Sequence, residues 1–443
     1  MKKLLRNHWS FRKTSQVLET CEVLDHWPFL LLLAALTAYH VWGITKVPFH
    51  PDEATQLYMS SDFEALFAHP GSLMWDSSHE GDRQQRYREL DAPLTKYILG
   101  LGRRVFGLQP LPVDWNWGQS WEENARAGAL PDAALLFAGR LAVTLLLPLS
   151  LSGMYLLGLQ VEGRLTGFLA ALLLGTHPLV LLHARRAMAE GALVLGVVIG
   201  LLTVLGGGKR PWLAGLGLGL AFNAKQSLAG LLPVGLLAVV WGAQNDGNRL
   251  RRAGLGLLQF SAAFVLVTLA LNPLYWSDPA GAARASLAAR QDLLTRQMMD
   301  LERFTPERVL RTPGQRAAVL LAHLYVIPPR FEEVGNYVEQ TAASKQAYLA
   351  VPGHVLLRGP AGGGLMLAIT LFGAALAARR VWKNGWQGER NLTLLLLAGI
   401  FQFGALILAI PLPFQRYAMP LVPFTALWAA YGLGALLTHF RRS

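Results

Sequence analysis

The sequence predicts an all-α polytopic membrane protein with about ten transmembrane helices. Three observations carry this reading. Only 15% of the 443 residues are charged, against about 25% in an ordinary soluble chain. Apolar residues make up 53%, with a mean hydropathy of +0.33, and they are gathered in blocks of which several reach the roughly 20 residues that cross a bilayer. Lys and Arg fall at the ends of those blocks, where cations record orientation in the membrane. That placement also accounts for the net charge of +12 and the pI near 10, so no nucleic-acid partner is expected.

In chain order, the first 27 residues carry Lys2, Lys3, Arg6, Arg12 and Lys13 and show no small-residue cleavage site after a short apolar core. They read as an uncleaved cytoplasmic leader. The first span runs over about 28–45. A large outer loop, 46–132, follows, and spans over about 133–159, 165–182 and 191–205 enclose Arg164, "HARRAMAE" and "GGGKRP" in turn. The stretch 211–242 is long for one helix, short for two, and has Lys225 in its middle. Charge parity decides for two short spans turning near Lys225, because a single span would put Arg249, Arg251 and Arg252 outside and invert every later basic cluster. A seventh span over 243–274 leads to a second outer loop, 275–358, and the last spans occupy 359–443. Both termini are then cytoplasmic, in a multi-pass protein of the inner (plasma) membrane. The 28–242 stretch, with spans one to six and the first outer loop, is the core unit.

Within the first loop, "ATQLYMSSDFEALFAH" has apolar residues at helical spacing, and "APLTKYILGLGRRVFG" is too short to span. Both read as helices lying in the membrane interface. In the second loop a helix is expected through "GAARASLAARQDLLTRQMMDLERF". The single Cys21 excludes an intramolecular disulfide.

The residues able to do chemistry gather on the outer side. Asp52 and Glu53 follow the first span in "VPFHPDEATQLYMSSD". Acids at a helix start favour the helix dipole, and Asp52 could simply be a cap. The functional alternative is a general base at the membrane surface. Adjacent carboxylates on a helix point about 100° apart, so one would do the chemistry and the other hold the geometry. Together they could also take a hard divalent cation through oxygen. Arg140, inside an apolar span, needs a first-loop carboxylate such as Asp52, Glu53 or Glu123. Arg186 and Glu190 stand at i,i+4 and could form a plain intrahelical pair. Arg185, Arg186, Lys225 and Arg416 all sit at outer boundaries. Singly each could snorkel to lipid headgroups, whereas as a set they suit an anionic lipid ligand. His50, His69, His79 and His323 lack metal-ligand spacing, and neither a Walker loop nor a G-x-S-x-G elbow is present.

Four stretches, in this order and with this membrane placement, resemble the GT-C fold integral-membrane glycosyltransferases, in particular the protein O-mannosyltransferase and aminoarabinose-transferase superfamily. "HPDEATQLY", which includes Tyr58, looks like its Asp-Glu signature after the first span. "DAPLTKYILGLGRRVFG", which includes Lys96, is similar to its H-P-P-L-x-K interfacial helix. The stretch from "AGRLAVTLLL" to "HARRAMAEGALVLG" looks like its Arg-led span followed by a span ending in R-x-x-x-x-D. "PLPFQRYAMPLVPFTALWAAYGLG" is similar to its closing span, and Lys225 fits a looser G-L-A-x-x-x-K pattern. Asp91 and Ala92 replace a His-Pro pair, and Glu190 replaces Asp. The second outer loop does not read as the β-trefoil of eukaryotic O-mannosyltransferases.

The resemblance implies an inverting transfer of a monosaccharide from a polyprenyl-phosphate carrier to an acceptor hydroxyl on lipid, glycan or protein, at the extracytoplasmic face. Asp52 and Glu53 would be catalytic, with Arg140 and Glu190 supporting them. Arg185, Arg186, Lys225 and Arg416 would hold the donor phosphate, Tyr58 and Lys96 would belong to the interfacial loop, and a divalent metal is an open expectation. The rival reading is a transporter or flippase for a lipid-linked sugar. It would need charges near the bilayer midplane, whereas these cluster at one face.

Overall fold

The computed structural model describes residues 26–79, 81–243, 248–331, 335 and 337–440. Residues 1–25 of the expected leader, with its five cations and Cys21, and the tail residues Arg441 and Arg442 lie outside the described residues. Among the described residues every regular element is helical.

Six helical segments are long and apolar enough to cross a membrane: Trp27–Lys46, Ala133–Val161, Arg249–Leu271, Gly359–Gly388, Arg390–Ala409 and Gln415–His439. The other four expected spans are shorter helices of 11 to 17 residues, Arg164–Gly175, Glu190–Gly206, Pro211–Ala224 and Leu232–Gly242. The ambiguous stretch at 211–242 is a hairpin. Its first helix stops at Ala224, Lys225 takes an extended backbone, and a 3-10 turn over Gln226–Leu231 leads into the return helix. Pro233 in the first turn of that helix has no donor to lose there, and Gly242 comes back against the backbone of Gly208.

This hairpin separates two ends of the bundle. One end gathers Arg380 with Glu162 and Glu389, Asn391 with Gln160, and the ring pair Trp241–Trp386 at 5.3 Å. The opposite end carries the two large loops and every candidate site residue. The main core joins the spans through residues such as Leu151, Leu174, Val197, Leu218 and Leu427. At Gly373 and Gly432 the Gly359–Gly388 helix meets the closing helix backbone to backbone, with no room for a Cβ at Gly373.

In the first loop we label the helices α1 (Pro51–Met59), α2 (Asp62–Ala68), α3 (Arg83–Leu90), α4 (Leu94–Val105) and α5 (Trp121–Ala127). The expected interfacial helix over "ATQLYMSSDFEALFAH" is two helices broken at Ser60–Ser61. Leu57 is fully buried against Leu99, Leu135 and Ala187 rather than turned to lipid. Apolar spacing recorded a protein core there. α4 matches the expectation better: Thr95, Lys96, Leu99 and Arg103 face inward, while Leu101, Val105 and Phe106 are exposed. In the second loop the expected helix is present as α6 (Pro279–Phe304).

Candidate active site

α1 starts in a way that separates the two adjacent carboxylates. Pro51 occupies the first helical position, and His50 caps the helix with Nδ1 accepting from the Asp52 N–H at 3.1 Å. The Glu53 side chain turns back, and Oε2 accepts from the His50 N–H at 3.0 Å, closing a capping box. Arg140 then grips Glu53 with both prongs, Nε to Oε1 and Nη2 to Oε2, each at 2.7 Å. The Ala187 N–H adds a bond to Oε1 at 2.9 Å, and Arg140 Nη1 donates to the carbonyls of Ile44 and Val47. Glu53 therefore ties the first span, α1, the Arg140 helix and the Ala187 turn together, fully out of solvent. It holds geometry. His50 is buried, which pushes its pKa well below the ordinary value, and its Nδ1 serves as an acceptor, as a neutral imidazole can.

Asp52, one position earlier, points the other way and keeps 27% of its side chain exposed. Its Oδ2 pairs with Arg416 Nη1 and lies 3.8 Å from His50 Nδ1. Arg416 sits in the 3-10 turn Gln415–Leu421, directly before the closing helix. Lys225 occupies the matching break in the hairpin and donates to Glu190 Oε1 at 2.6 Å. Both cations thus come from breaks where the chain leaves one span and enters the next. Glu190 lies in the field of Lys225, Arg416 and His183 together, and His50 in that of Arg186, Arg416 and His183, so the Asp52 and Glu190 groups form one polar cluster. Inside it, Glu190 Oε2 and both ring nitrogens of His183 are buried without a hydrogen-bond partner among the described residues. Buried polar atoms left so are rare and mark places that take water or a ligand.

Other expected residues are turned to structural work. Arg185 is fully buried. Nη2 donates to the Tyr39 carbonyl and Nη1 to His354 Nε2, both at 2.9 Å, its guanidinium stacks 4.9 Å from the Tyr39 ring, and it fills the space that a side chain at Gly43 would need. Arg186, also buried, donates to the Phe331 carbonyl at 3.3 Å beneath the cluster. Lys96 pairs with Asp62 at 3.3 Å, beside Arg88, and fixes α4 to α2. Tyr58 packs in the cluster of Leu57, Leu99 and Trp115. Glu123, one of the partners considered for Arg140, instead caps α5 through Ser120. Arg186 and Glu190 do not form the plain intrahelical pair, because the 184–189 stretch between them is a turn and Glu190 opens the next helix.

Four residues went unnoticed in the sequence. Gln56, one turn after Asp52, donates to Asp91 Oδ2 at 3.1 Å, and its i+4 spacing was the signal that could have found it. Arg290 of α6 reaches the Leu90 carbonyl and lies 3.4 Å from Gln226 Oε1, bringing the second loop over the Lys225 break. His183 and Gln226 carry no pattern a single sequence could reveal.

The open expectation of a divalent metal on Asp52 and Glu53 does not fit this geometry. Glu53 offers no free oxygen, and no group of three or more His, Cys, Asp or Glu side chains able to hold a metal exists among the described residues.

Fold and site thus define a helical membrane protein with one polar, carboxylate- and cation-bearing end. The chain is similar in fold to solved structures. An Archaeoglobus fulgidus oligosaccharyltransferase, solved with Zn and sulfate, matches 91% of this chain at 14% identity with a TM-score of 0.50, the match covering 49% of that chain. The archaeal oligosaccharyltransferase AglB of A. fulgidus, in complex with an inhibitory peptide and a dolichol-phosphate, gives 94%, 14%, 0.48 and 52% in the same order. ArnT from Cupriavidus metallidurans, bound to undecaprenyl phosphate, gives 92%, 14%, 0.46 and 60%. The chain spans about half the length of the oligosaccharyltransferases it matches. No protein-family model and no curated protein sequence matches it. The first likeness shows the fold, and it is the GT-C fold that the sequence resemblance implied.

Proposed function

We propose that the protein is a membrane glycosyltransferase that moves a monosaccharide from a polyprenyl-phosphate carrier to an acceptor hydroxyl, with inversion. The observation that carries this reading is the division of the acidic pair. Glu53 is locked by Arg140, while Asp52 stays partly open beside Arg416, in one cluster with Lys225 and Glu190.

The carrier phosphate would enter between Lys225 and Arg416, sharing those cations with Glu190 and Asp52. Asp52 takes the acceptor proton as the hydroxyl oxygen attacks the anomeric carbon. The bond from that carbon to the phosphate oxygen breaks, and the phosphate leaves with the electron pair. Lys225 and Arg416 stabilise its growing charge, the term that is usually largest in catalysis. Glu190 fixes the Lys225 ammonium, and Glu53 with Arg140 fixes the start of α1. The site draws Asp52, Glu190 and Lys225 from the 28–242 stretch and Arg416 from the last spans, so both parts of the chain are required. In the cell we place this end on the extracytoplasmic face of the inner membrane, with ten spans and both termini cytoplasmic, because the short basic loops sit at the other end.

The clustering at one end disfavours the transporter reading, in which charges would line a path through the midplane. The test incubates purified protein with a panel of polyprenyl-phosphate sugars and membrane extract and identifies products by mass spectrometry. We expect one sugar to appear on an acceptor, and a parallel EDTA arm to leave the rate unchanged. Movement of intact sugar-lipid across liposomes, without transfer, would favour a flippase.

A further inference from the structure

A pocket lies at the same end of the bundle and shares no lining residue with the Asp52 cluster. It opens between the Arg164–Gly175 helix with the turn that follows it, and the Gly359–Gly388 and Val422–Phe440 helices. The space it offers, open solvent at its mouth included, is about 470 Å³, and its walls are mainly apolar, formed by Leu173, Leu324, Leu357, Met366 and Ala426 with Thr176, Thr370 and Thr425 among them. One charged group lines it, Arg358.

The bonding around Arg358 leaves its charge uncompensated. Nη1 donates to the His323 carbonyl at 3.0 Å. Nη2 faces His177 Nε2 at 3.4 Å. His177 Nδ1, however, accepts from the Leu179 N–H at 3.3 Å, so in the neutral ring Nε2 carries the proton. Two donors therefore face each other at that contact. Among the described residues no carboxylate lies within 4.0 Å of Arg358. Next to it, Leu357 is the one described non-glycine residue with left-handed backbone, at φ 55°. Such strain persists where the surroundings demand it and clusters at binding sites. Here it sets Leu357 and Arg358 together on the pocket wall.

We propose that this pocket binds an anionic membrane phospholipid, with one acyl chain between the apolar walls and the phosphodiester on Arg358. Charge selects the headgroup. A phosphodiester carries a single negative charge and matches one guanidinium, whereas the sugar-free polyprenyl phosphate that transfer would leave is a monoester of higher charge and suits a pair of cations such as Lys225 and Arg416. The lipid would tie the first half of the bundle to its last helices. It would stabilise the fold by mass action, as any ligand of the native state does.

The test uses the full chain in a neutral detergent with dioctanoyl phosphatidylglycerol, dioctanoyl phosphatidylcholine and farnesyl phosphate as probes. Binding is read by native mass spectrometry and by the saturable rise in Tm. The expected result is one phosphatidylglycerol per chain, bound more tightly than either other probe. Arg358→Gln should weaken it about 10-fold or more, as loss of a charge-assisted contact does, while Arg358→Lys keeps most of it. Ala426→Phe, which fills the pocket and leaves the charge in place, should abolish it and decides the matter if Arg358→Gln does not fold. Equal binding by the wild type and the Ala426→Phe protein would overturn the proposal. So would tighter capture of farnesyl phosphate than of phosphatidylglycerol in wild type, if Ala426→Phe removed it.

Discussion

Arg140 and Glu53 meet through two parallel bonds of 2.7 Å, with neither group facing solvent. The carboxylate also receives the N–H groups of His50 and Ala187, so removing its charge leaves a buried guanidinium unpaired. Breaking a buried pair from one side costs about 3–5 kcal/mol. Glu53→Ala should therefore lower the Tm and the yield of folded protein, whereas Asp52→Asn should leave both close to wild type. Thermal unfolding in detergent distinguishes the two, and equal losses would contradict the division of roles.

Lys225 is held by Glu190 but keeps 24% of its side chain exposed, open to a ligand oxygen. Lys225→Met should weaken binding of undecaprenyl phosphate by about 10- to 100-fold, the value of a charge-assisted bond. Titration of that lipid phosphate by thermal shift reads the change directly. Binding within about 2-fold of wild type would remove Lys225 from the donor site.

Arg185 should behave differently, since its donors are already committed to Tyr39 and His354. Lysine lacks the planar fork needed to bridge both. We expect Arg185→Lys to lower the Tm while the KM for the donor stays unchanged. A raised KM with an unchanged Tm would return Arg185 to the phosphate site.

Burial holds His50 well below its ordinary pKa, and His354 is likewise pushed down to about 4 by burial. An unfolded chain takes up these protons near pH 6.5, and the folded one does not. Stability is therefore full above about pH 6.5 and falls as the pH drops below it, by up to about 1.4 kcal/mol per pH unit for each such histidine. His50→Asn keeps a capping acceptor without titrating. Its Tm should fall less steeply than that of the wild type between pH 7.5 and 5.5. Parallel curves would show that His50 does not contribute.

Much of this was legible in the sequence, for identifiable reasons. Spans follow from block length and charge parity, and parity alone resolved the hairpin at Lys225. The pairing of Arg140 with a first-loop carboxylate followed from the cost of an isolated charge, though the partner could not be chosen. Glu53 was selected by the capping box at His50, which a single sequence did not reveal. The same spacing rules misread Leu57, because an apolar stripe looks alike whether it meets lipid or a protein core. Arg185 looked like a ligand for the matching reason: charge at a membrane boundary does not say which way the side chain turns. Arg290 and His183 reach the site through tertiary packing, which leaves no local mark.

In the proposed mechanism Asp52 is the base and its neighbours are its support. Its most direct test is the rate of sugar transfer by purified Asp52→Asn protein that retains the wild-type Tm and lipid-phosphate affinity. We expect a fall of roughly 10²- to 10⁴-fold, as loss of a general base gives. Transfer at a near-normal rate by that folded, donor-binding variant would contradict it.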